Sequence, residues 1–302
     1  MVGSGRVGGR RGYRARRKVL LPTSGLLGEL VPNSPLAGAR APTVLERRCW
    51  PTSGAQPAER LWYPLSSTNR ALTLKYTPRT IALLCELHHP AEKPDPRPVQ
   101  EIHNATFQQG QPPWSSFAIT PTGPVLSNPA TRPGASSVVR FLPDRIQFRE
   151  ELSAWTYETF ADQVLFIAEQ MHAVRGTALF TGQQVTIRTL VNPKAFKDAR
   201  EFLKAGMFQF DDQVEDFARE PKLYGLRMVF PPTPEEQQAY SLRVESYNHD
   251  TRSLFLEIQG TFGPCLPQNG LESIRDNILA TYGFLVSRGL RFVSRFDASQ
   301  EA

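Results

Sequence analysis

From residue 81 onward, short segments in which every second residue is apolar recur along the chain, and this alternation limits the fold more than any other feature. In residues 81–87 it places Ile81, Leu83, Cys85 and Leu87 on one side, which is the pattern of a strand with one buried face. Similar patterns and apolar runs predict further strands at residues 99–107, 117–120, 137–142, 145–149, 184–191, 223–230, 240–247 and 253–262. Turn-forming residues separate many of these segments, as expected for antiparallel strands.

Two long helices with one apolar side are predicted among these strands. The first covers residues 156–174, and Gly176 supplies its end. The second begins at Asn269, with Glu272 three residues later in the capping-box position, and extends to about residue 295.

A shorter helix is expected between the strand at 184–191 and the next strand. Asn192 and Pro193 favour a helix start, because Asn caps free N–H groups and Pro fits the first turn. Gly206 is expected to end this helix.

The fold class predicted from these elements is α+β, with antiparallel sheets that are each followed by a long amphipathic helix. An Arg-Gly pair at 175–176 and another at 288–289 suggest that both halves finish alike. One architecture is an internal duplication, with pseudo-symmetric units at residues 71–180 and 181–302. The other is a single sheet packed against one long helix, as in folds that enclose a small ligand.

Residues 1–70 differ from the rest in composition and charge. They are rich in Gly, Pro, Ser and Arg and lack a sustained hydrophobic period, so they are predicted to be a disordered tail. They hold twelve Arg and Lys against three Glu, a net charge of +9 within a chain total of +6. The remaining residues are therefore slightly acidic, and nucleic-acid binding through the basic segment 10–18 is an alternative function for the tail alone.

The cysteines and the hydropathy indicate a cellular compartment. Cys49, Cys85 and Cys265 lie far apart and form neither a CxxC motif nor a disulfide framework. No apolar run reaches the roughly 18–20 residues of a membrane span. The sequence thus predicts a cytoplasmic protein in a reducing environment.

No motif of a known reaction lies in the structural context that the reaction requires. The GxGxxG match at residues 3–8 has no preceding strand. His88 and His89 would point to opposite faces of a strand, so they do not converge with His103 on a metal. Glu150 and Glu151 are expected to point apart and to be solvated. We therefore predict no catalytic residues, no metal site and no cofactor.

One set of charged residues is a candidate binding site. The alternation in the later strands places five of them on faces opposite the main apolar sets: Arg188, Arg227, Arg243, Glu245 and Glu257. They form either cross-strand ion pairs on a solvated face or a surface that recognises an anionic group.

The function predicted from this set is non-catalytic binding or regulation, with an unidentified protein or anionic ligand as partner. The second alternative is a small-molecule pocket protein, or an enzyme, whose site lies between the sheet and the C-terminal helix.

Residues 184–297 resemble a sporadically distributed family of uncharacterised bacterial proteins. The resemblance rests on VTIRTLVNP, KDAREFL and the closing SIRDNILATYGFLVSRGLRFVSRFD. In that family an arginine-bearing strand leads into Asn and a short helix, and the last helix runs into a Phe-containing tail. Arg188, Asn192 and Phe292 or Phe296 match those positions, and the resemblance implies a cytoplasmic bacterial protein.

Overall fold

The computed structural model describes residues 76–297 except residues 94, 111, 211–215 and 220. The predicted tail, residues 1–70, lies outside the described residues. The described strands are β1 Arg79–His88, β2 Ser116–Thr120, β3 Gly123–Asn128, β4 Ser136–Phe141, β5 Arg145–Glu151, β6 Gly182–Val191, β7 Gly225–Phe230, β8 Ala239–Ser246 and β9 Leu254–Phe262.

The helical elements occupy the connections between these strands and the C-terminal region. They are α1 Pro96–Gln108, α2 Tyr157–Arg175, α3 Ala199–Glu201, α4 Glu272–Phe284 and α5 Arg291–Phe296. A π-helical segment, Phe202–Phe208, continues α3, and another, Leu285–Leu290, joins α4 to α5. Among the described residues, no helix is long and apolar enough to cross a membrane.

The nine strands form one antiparallel sheet in the order β2-β3-β4-β5-β1-β6-β9-β8-β7. Strands β1 and β6 pair at its centre, with Cys85 opposite Val185. β5 flanks β1 and β9 flanks β6. Strands from both predicted units therefore share one sheet, and the predicted α+β class with antiparallel strands is confirmed.

The two halves have a similar order of elements, with a meander of four strands in the first half and three in the second. In each, a central strand leads into a helical segment and then an antiparallel meander, whose last strand returns to pair with the central strand. A long helix follows, α2 in the first half and α4 in the second, and the two helices pack against each other.

The helices cover one face of the sheet, and alternation determines which residues meet them. Leu83, Cys85 and Leu87 of β1 and Val185 and Ile187 of β6 are almost fully buried there. A one-residue slip of β6 would turn Arg188 toward the helices and expose both apolar side chains, at roughly 1.5–3 kcal/mol each. The register of the central pair is therefore strongly specified.

The first long helix agrees with the prediction. The side chain of Thr156 accepts a hydrogen bond from the backbone N–H of Thr159 at its start. Gly176 ends it in the left-handed conformation, with φ of 70°.

Two predictions for the first half were wrong or incomplete. Residues 99–107, predicted as a strand, lie in α1, which Pro96 and the capping side chain of Asp95 begin. The buried Val99, Ile102 and Thr106 follow helical spacing. β3 was not predicted, because its first residues, Gly and Pro, resemble a turn.

In the second half the helix starts were wrong. Asp198, not Asn192, caps α3, and Asn192 instead accepts a hydrogen bond from Ser253. Asn269 lies in a preceding 3₁₀ turn, and α4 begins at Glu272 without a capping side chain.

The Arg-Gly pair at residues 288–289 does not end a helix, unlike the pair at residues 175–176. The helix continues through Gly289 as the π-helical segment. A Cβ atom at this glycine would lie 3.4 Å from the Leu242 side chain of β8, an ordinary van der Waals distance, so the helix packs directly on the sheet here.

We expect Gly260→Ala to destabilise the fold by about 1–3 kcal/mol, because overpacking forces side chains or backbone to shift. A Cβ atom on Gly260 would lie 2.6 Å from Thr281 Oγ1 of α4 and 2.8 Å from the Phe262 ring. Urea unfolding measures the effect. Gly263→Ala is the matched control, since nothing lies within 4 Å of its Cβ position, and an equal loss in both variants would contradict this account of the helix–sheet contact.

Candidate functional site

The five predicted binding residues lie on the face of the sheet opposite the helices, which we call the open face. Strand order brings them together, because β6, β9, β8 and β7 are consecutive neighbours. Arg188 is paired with Glu257 in register, and Glu257 with Arg243. Arg243 is in turn paired with Arg227. We call the set Arg188, Arg227, Arg243, Glu245 and Glu257 the arginine face.

Four of these residues form a ladder of ion pairs across three strands. Arg188 Nε donates to Glu257 Oε2 at 2.7 Å. Arg243 Nε lies 3.7 Å from Glu257 Oε1 and 3.5 Å from Glu245 Oε1. Glu257 therefore lies between two arginines and offers one oxygen to each.

The ladder extends into the first half through a residue that was not predicted to belong to it. Glu151 of β5 lies 3.6 Å from Arg188 and 2.7 Å from Arg149. The Arg188 and Arg243 side chains are 34% and 39% exposed, so each pair contributes at most about 1 kcal/mol. The ladder orients the side chains and neutralises most of their charge.

Arg227 differs from the other two arginines. Its Nε donates to the Ser241 hydroxyl at 2.9 Å, and no carboxylate of the described residues lies within ion-pair distance. It stands directly opposite Arg243, and like charges in this position repel. Its guanidinium is thus the least neutralised charge of the arginine face.

A groove of about 340 Å³ adjoins this arginine pair. It is lined by Leu223, Tyr224, Gly225, Leu226, Arg227, Arg243 and Glu245. β7 is the last strand of the sheet, and its Val229 side chain is 65% exposed. Within the described residues no strand pairs with its outer edge, so backbone N–H and C=O groups are available beside the groove.

The histidines considered at the sequence level do not converge. His88 lies at the end of β1 near Glu86, at 3.7 Å. His103 lies on α1, where it contacts the rings of Phe107 and Phe117. Within the described ranges, no group of three or more His, Cys, Asp or Glu side chains is arranged to hold a metal ion.

A second polar feature, around Glu150, was not predicted as a site. Glu150 and Glu151 do point apart, but only Glu151 faces solvent; Glu150 is 2% exposed, so its predicted solvation was wrong. Its Oε1 accepts from Ser137 Oγ at 2.7 Å, whereas its Oε2 is buried without a hydrogen-bond partner. The signal was present in β5, because Glu150 continues the buried alternation of Ile146 and Phe148.

Burial changes the acidity of this carboxyl group. Desolvation raises the pKa of Glu150 from its ordinary value of 4.5 to about 7, and polar contacts with Ser137, Ser153 and Trp114 only partly offset that effect. The group thus titrates near neutrality.

Comparison with known proteins adds no assignment to either feature. The sequence matches no protein-family model, and no curated protein shows significant similarity to it.

Glu150 should make the free energy of unfolding fall as pH rises from about 4.5 to about 7. The native state binds more protons than the unfolded state across this window, because the folded pKa is the higher one. The loss is at most about 3 kcal/mol, and less to the extent that water reaches the carboxyl group. Urea unfolding at several pH values measures it.

Glu150→Gln removes this titration, so the stability of the variant relative to wild type should increase across the same window. Glu151→Gln, on the open face, is the control for a lost charge. Parallel pH profiles for wild type and Glu150→Gln would contradict the raised pKa of Glu150.

Proposed function

We propose that this protein is a non-catalytic binding protein whose arginine face recognises an anionic segment of a partner protein. The observation that carries the proposal is the direct cross-strand pairing of Arg227 with Arg243. Two guanidinium groups in this position repel, and a carboxylate that accepts hydrogen bonds from both would relieve the repulsion.

The ladder supports a division of roles among the arginines. Arg188 is held by Glu257 and Glu151, so it mainly fixes Glu257. Arg243 stacks over the Phe255 ring at 5.1 Å, which holds its guanidinium in place. Arg227 and Arg243 are therefore the residues that contact the partner.

The edge position of β7 favours an extended partner. A peptide that pairs with β7 satisfies the free backbone groups of this strand and adds a tenth strand to the sheet. The side chains of every second peptide residue then lie beside Arg227 on the open face, and the residues between them lie beside Leu226 and Met228 on the other face. The partner segment accordingly carries acidic and apolar residues at alternate positions.

Arg227→Gln combined with Arg243→Gln should weaken binding of such a segment about tenfold or more, because both charged donors are lost. The probe is a short labelled peptide in which glutamate alternates with valine, measured by fluorescence anisotropy. A counterpart with glutamine in place of glutamate should bind weakly.

Arg140→Gln is the matched control variant, since Arg140 lies on the open face of β4 in the other half of the sheet. The proposal fails if wild type does not bind the acidic peptide, or if the control loses as much affinity as the double variant.

Glu257→Gln should have the opposite effect on the same peptide. It removes the carboxylate that lies between Arg188 and Arg243 and leaves the surface more positive. We expect severalfold tighter binding at low ionic strength, with the gain reduced by added salt. A loss of affinity would mean that Glu257 contacts the partner, contrary to the assigned role.

We also infer that the two halves arose by internal duplication. The shared order of strand, helical segment, meander and long helix supports this origin, as does the antiparallel pairing of β1 with β6. Three further proposals rest on the sequence alone. They are a division of the body near residue 180, membership of the bacterial family and a cytoplasmic location.

The alternative pocket between sheet and C-terminal helix gains no support, because buried side chains such as Ile274, Ile278 and Leu285 fill that contact.

A further inference from the structure

A cavity of about 500 Å³ opens beside Glu150, on the side of the sheet away from the arginine face. Its wall is formed by the ends of β3, β4 and β5 and by the segment that leads into α2. Apolar atoms, including those of Ala130, Ala154 and Trp155, form most of the lining surface, although seven of the twelve lining residues carry polar side chains. Such a combination is typical of sites for small organic ligands.

The polar groups on one side of the cavity are fixed by a chain of hydrogen bonds. Asn128 Nδ2 donates to the Pro113 carbonyl at 2.8 Å and to Ser137 Oγ at 3.1 Å. Ser137 then donates to Glu150 Oε1 at 2.7 Å. The carboxyl group is thereby held with its other oxygen free.

The chain on the other side of the cavity adopts an unusual conformation. Leu152 has φ of 48°, which is rare for a residue with a branched side chain. Its N–H donates to the Ile81 carbonyl, and its own carbonyl accepts from Arg132 Nε. This turn places Ser153, Ala154 and Trp155 against the cavity.

Glu150 Oε2 has no hydrogen-bond partner, although Ser153 and the buried, likewise unpartnered Nε1 of Trp114 lie near the carboxyl group. An ionised carboxylate that is buried without a partner is costly, and a cation at that position offsets the cost. No charged side chain contributes to the environment of Glu150; Ser137, Ser153 and Trp114 are its polar neighbours. Trp155, whose ring packs against that of Trp114 with centroids 5.4 Å apart, lines the cavity, and an aromatic wall favours a cationic group.

We propose that this cavity binds a small molecule with a protonated amine on an apolar body, and that the amine donates a hydrogen bond to the carboxyl group of Glu150. The apolar body then occupies the part of the cavity lined by alanine, proline and Trp155 side chains. The site is separate from the arginine face, so either assignment can fail without the other.

The test uses the whole protein and amines of increasing size: ethylamine, butylamine and phenethylamine. Isothermal titration calorimetry at pH 8 measures affinity, with the corresponding alcohols as neutral counterparts. At least one amine should bind about tenfold or more tightly than its alcohol. Equal affinity for amine and alcohol, or no binding of any amine, overturns the proposal.

Two variants test which carboxylate binds the amine. Glu150→Gln should reduce affinity for the amine about tenfold or more, while Glu151→Gln should leave it unchanged, because Glu151 is paired with Arg149 on the opposite face. Retention of wild-type affinity in Glu150→Gln overturns the proposal. Wild-type protein provides an independent check that requires no substitution.

Lowering the pH from 8 to 6 should weaken amine binding to wild type by roughly tenfold, because Glu150 becomes protonated while the amine stays charged. Ser137, Ser153 and Trp114, which surround Glu150, do not titrate in this range. An affinity that does not change between these pH values counts against the assigned contact.

Discussion

The antiparallel pairing of β1 with β6 is the interaction on which the rest of the molecule depends. It joins two halves that would otherwise each expose the edge of a small sheet, and it fixes which residues face the helices. Once Cys85 and Val185 point inward, Arg188 must point outward. The polarity of both faces of the sheet follows from that single register.

The alternation of side chains between the two faces of each strand explains most of what was predictable from the sequence. The outward placement of all five arginine-face residues required only alternation, and so did the inward face of β1. Which strands are neighbours was not predictable, because pairing is decided by contacts between residues distant in sequence. The participation of Glu151 in the ladder depends on β5 standing beside β1, close to β6, and no local pattern contains that information.

Errors arose where two patterns compete within a few residues. Segment 99–107 contains apolar residues that fit either period, and the Asp-Pro pair before it was the stronger signal for a helix. The burial of Glu150 was not predicted for a related reason. Its charged side chain suggested exposure to solvent, whereas its position in the alternation indicated burial. The capping residues thus decided the first case, and the period of the neighbouring residues decided the second.

The arginine face and the surroundings of Glu150 differ in their exposure to solvent. On the open face, Arg188 and Arg243 are about a third exposed, so water and salt screen their interactions and a partner can exchange with them at little cost. The carboxyl group of Glu150 is desolvated and accepts a hydrogen bond from the Ser137 hydroxyl. A surface of the first kind suits reversible association, and a recess of the second kind suits selection among small molecules by charge.

The π-helical segment Leu285–Leu290 has a consequence for how the chain can vary in length. Its wider turn sets the rotation of everything that follows, including Val293, which faces the core, and Asp297, which accepts from the backbone N–H groups of Lys194 and Ala195. Loss of one residue here would rotate α5 by about 100° and carry both away from their partners. Along this helix, deletions of a residue are therefore constrained more tightly than substitutions.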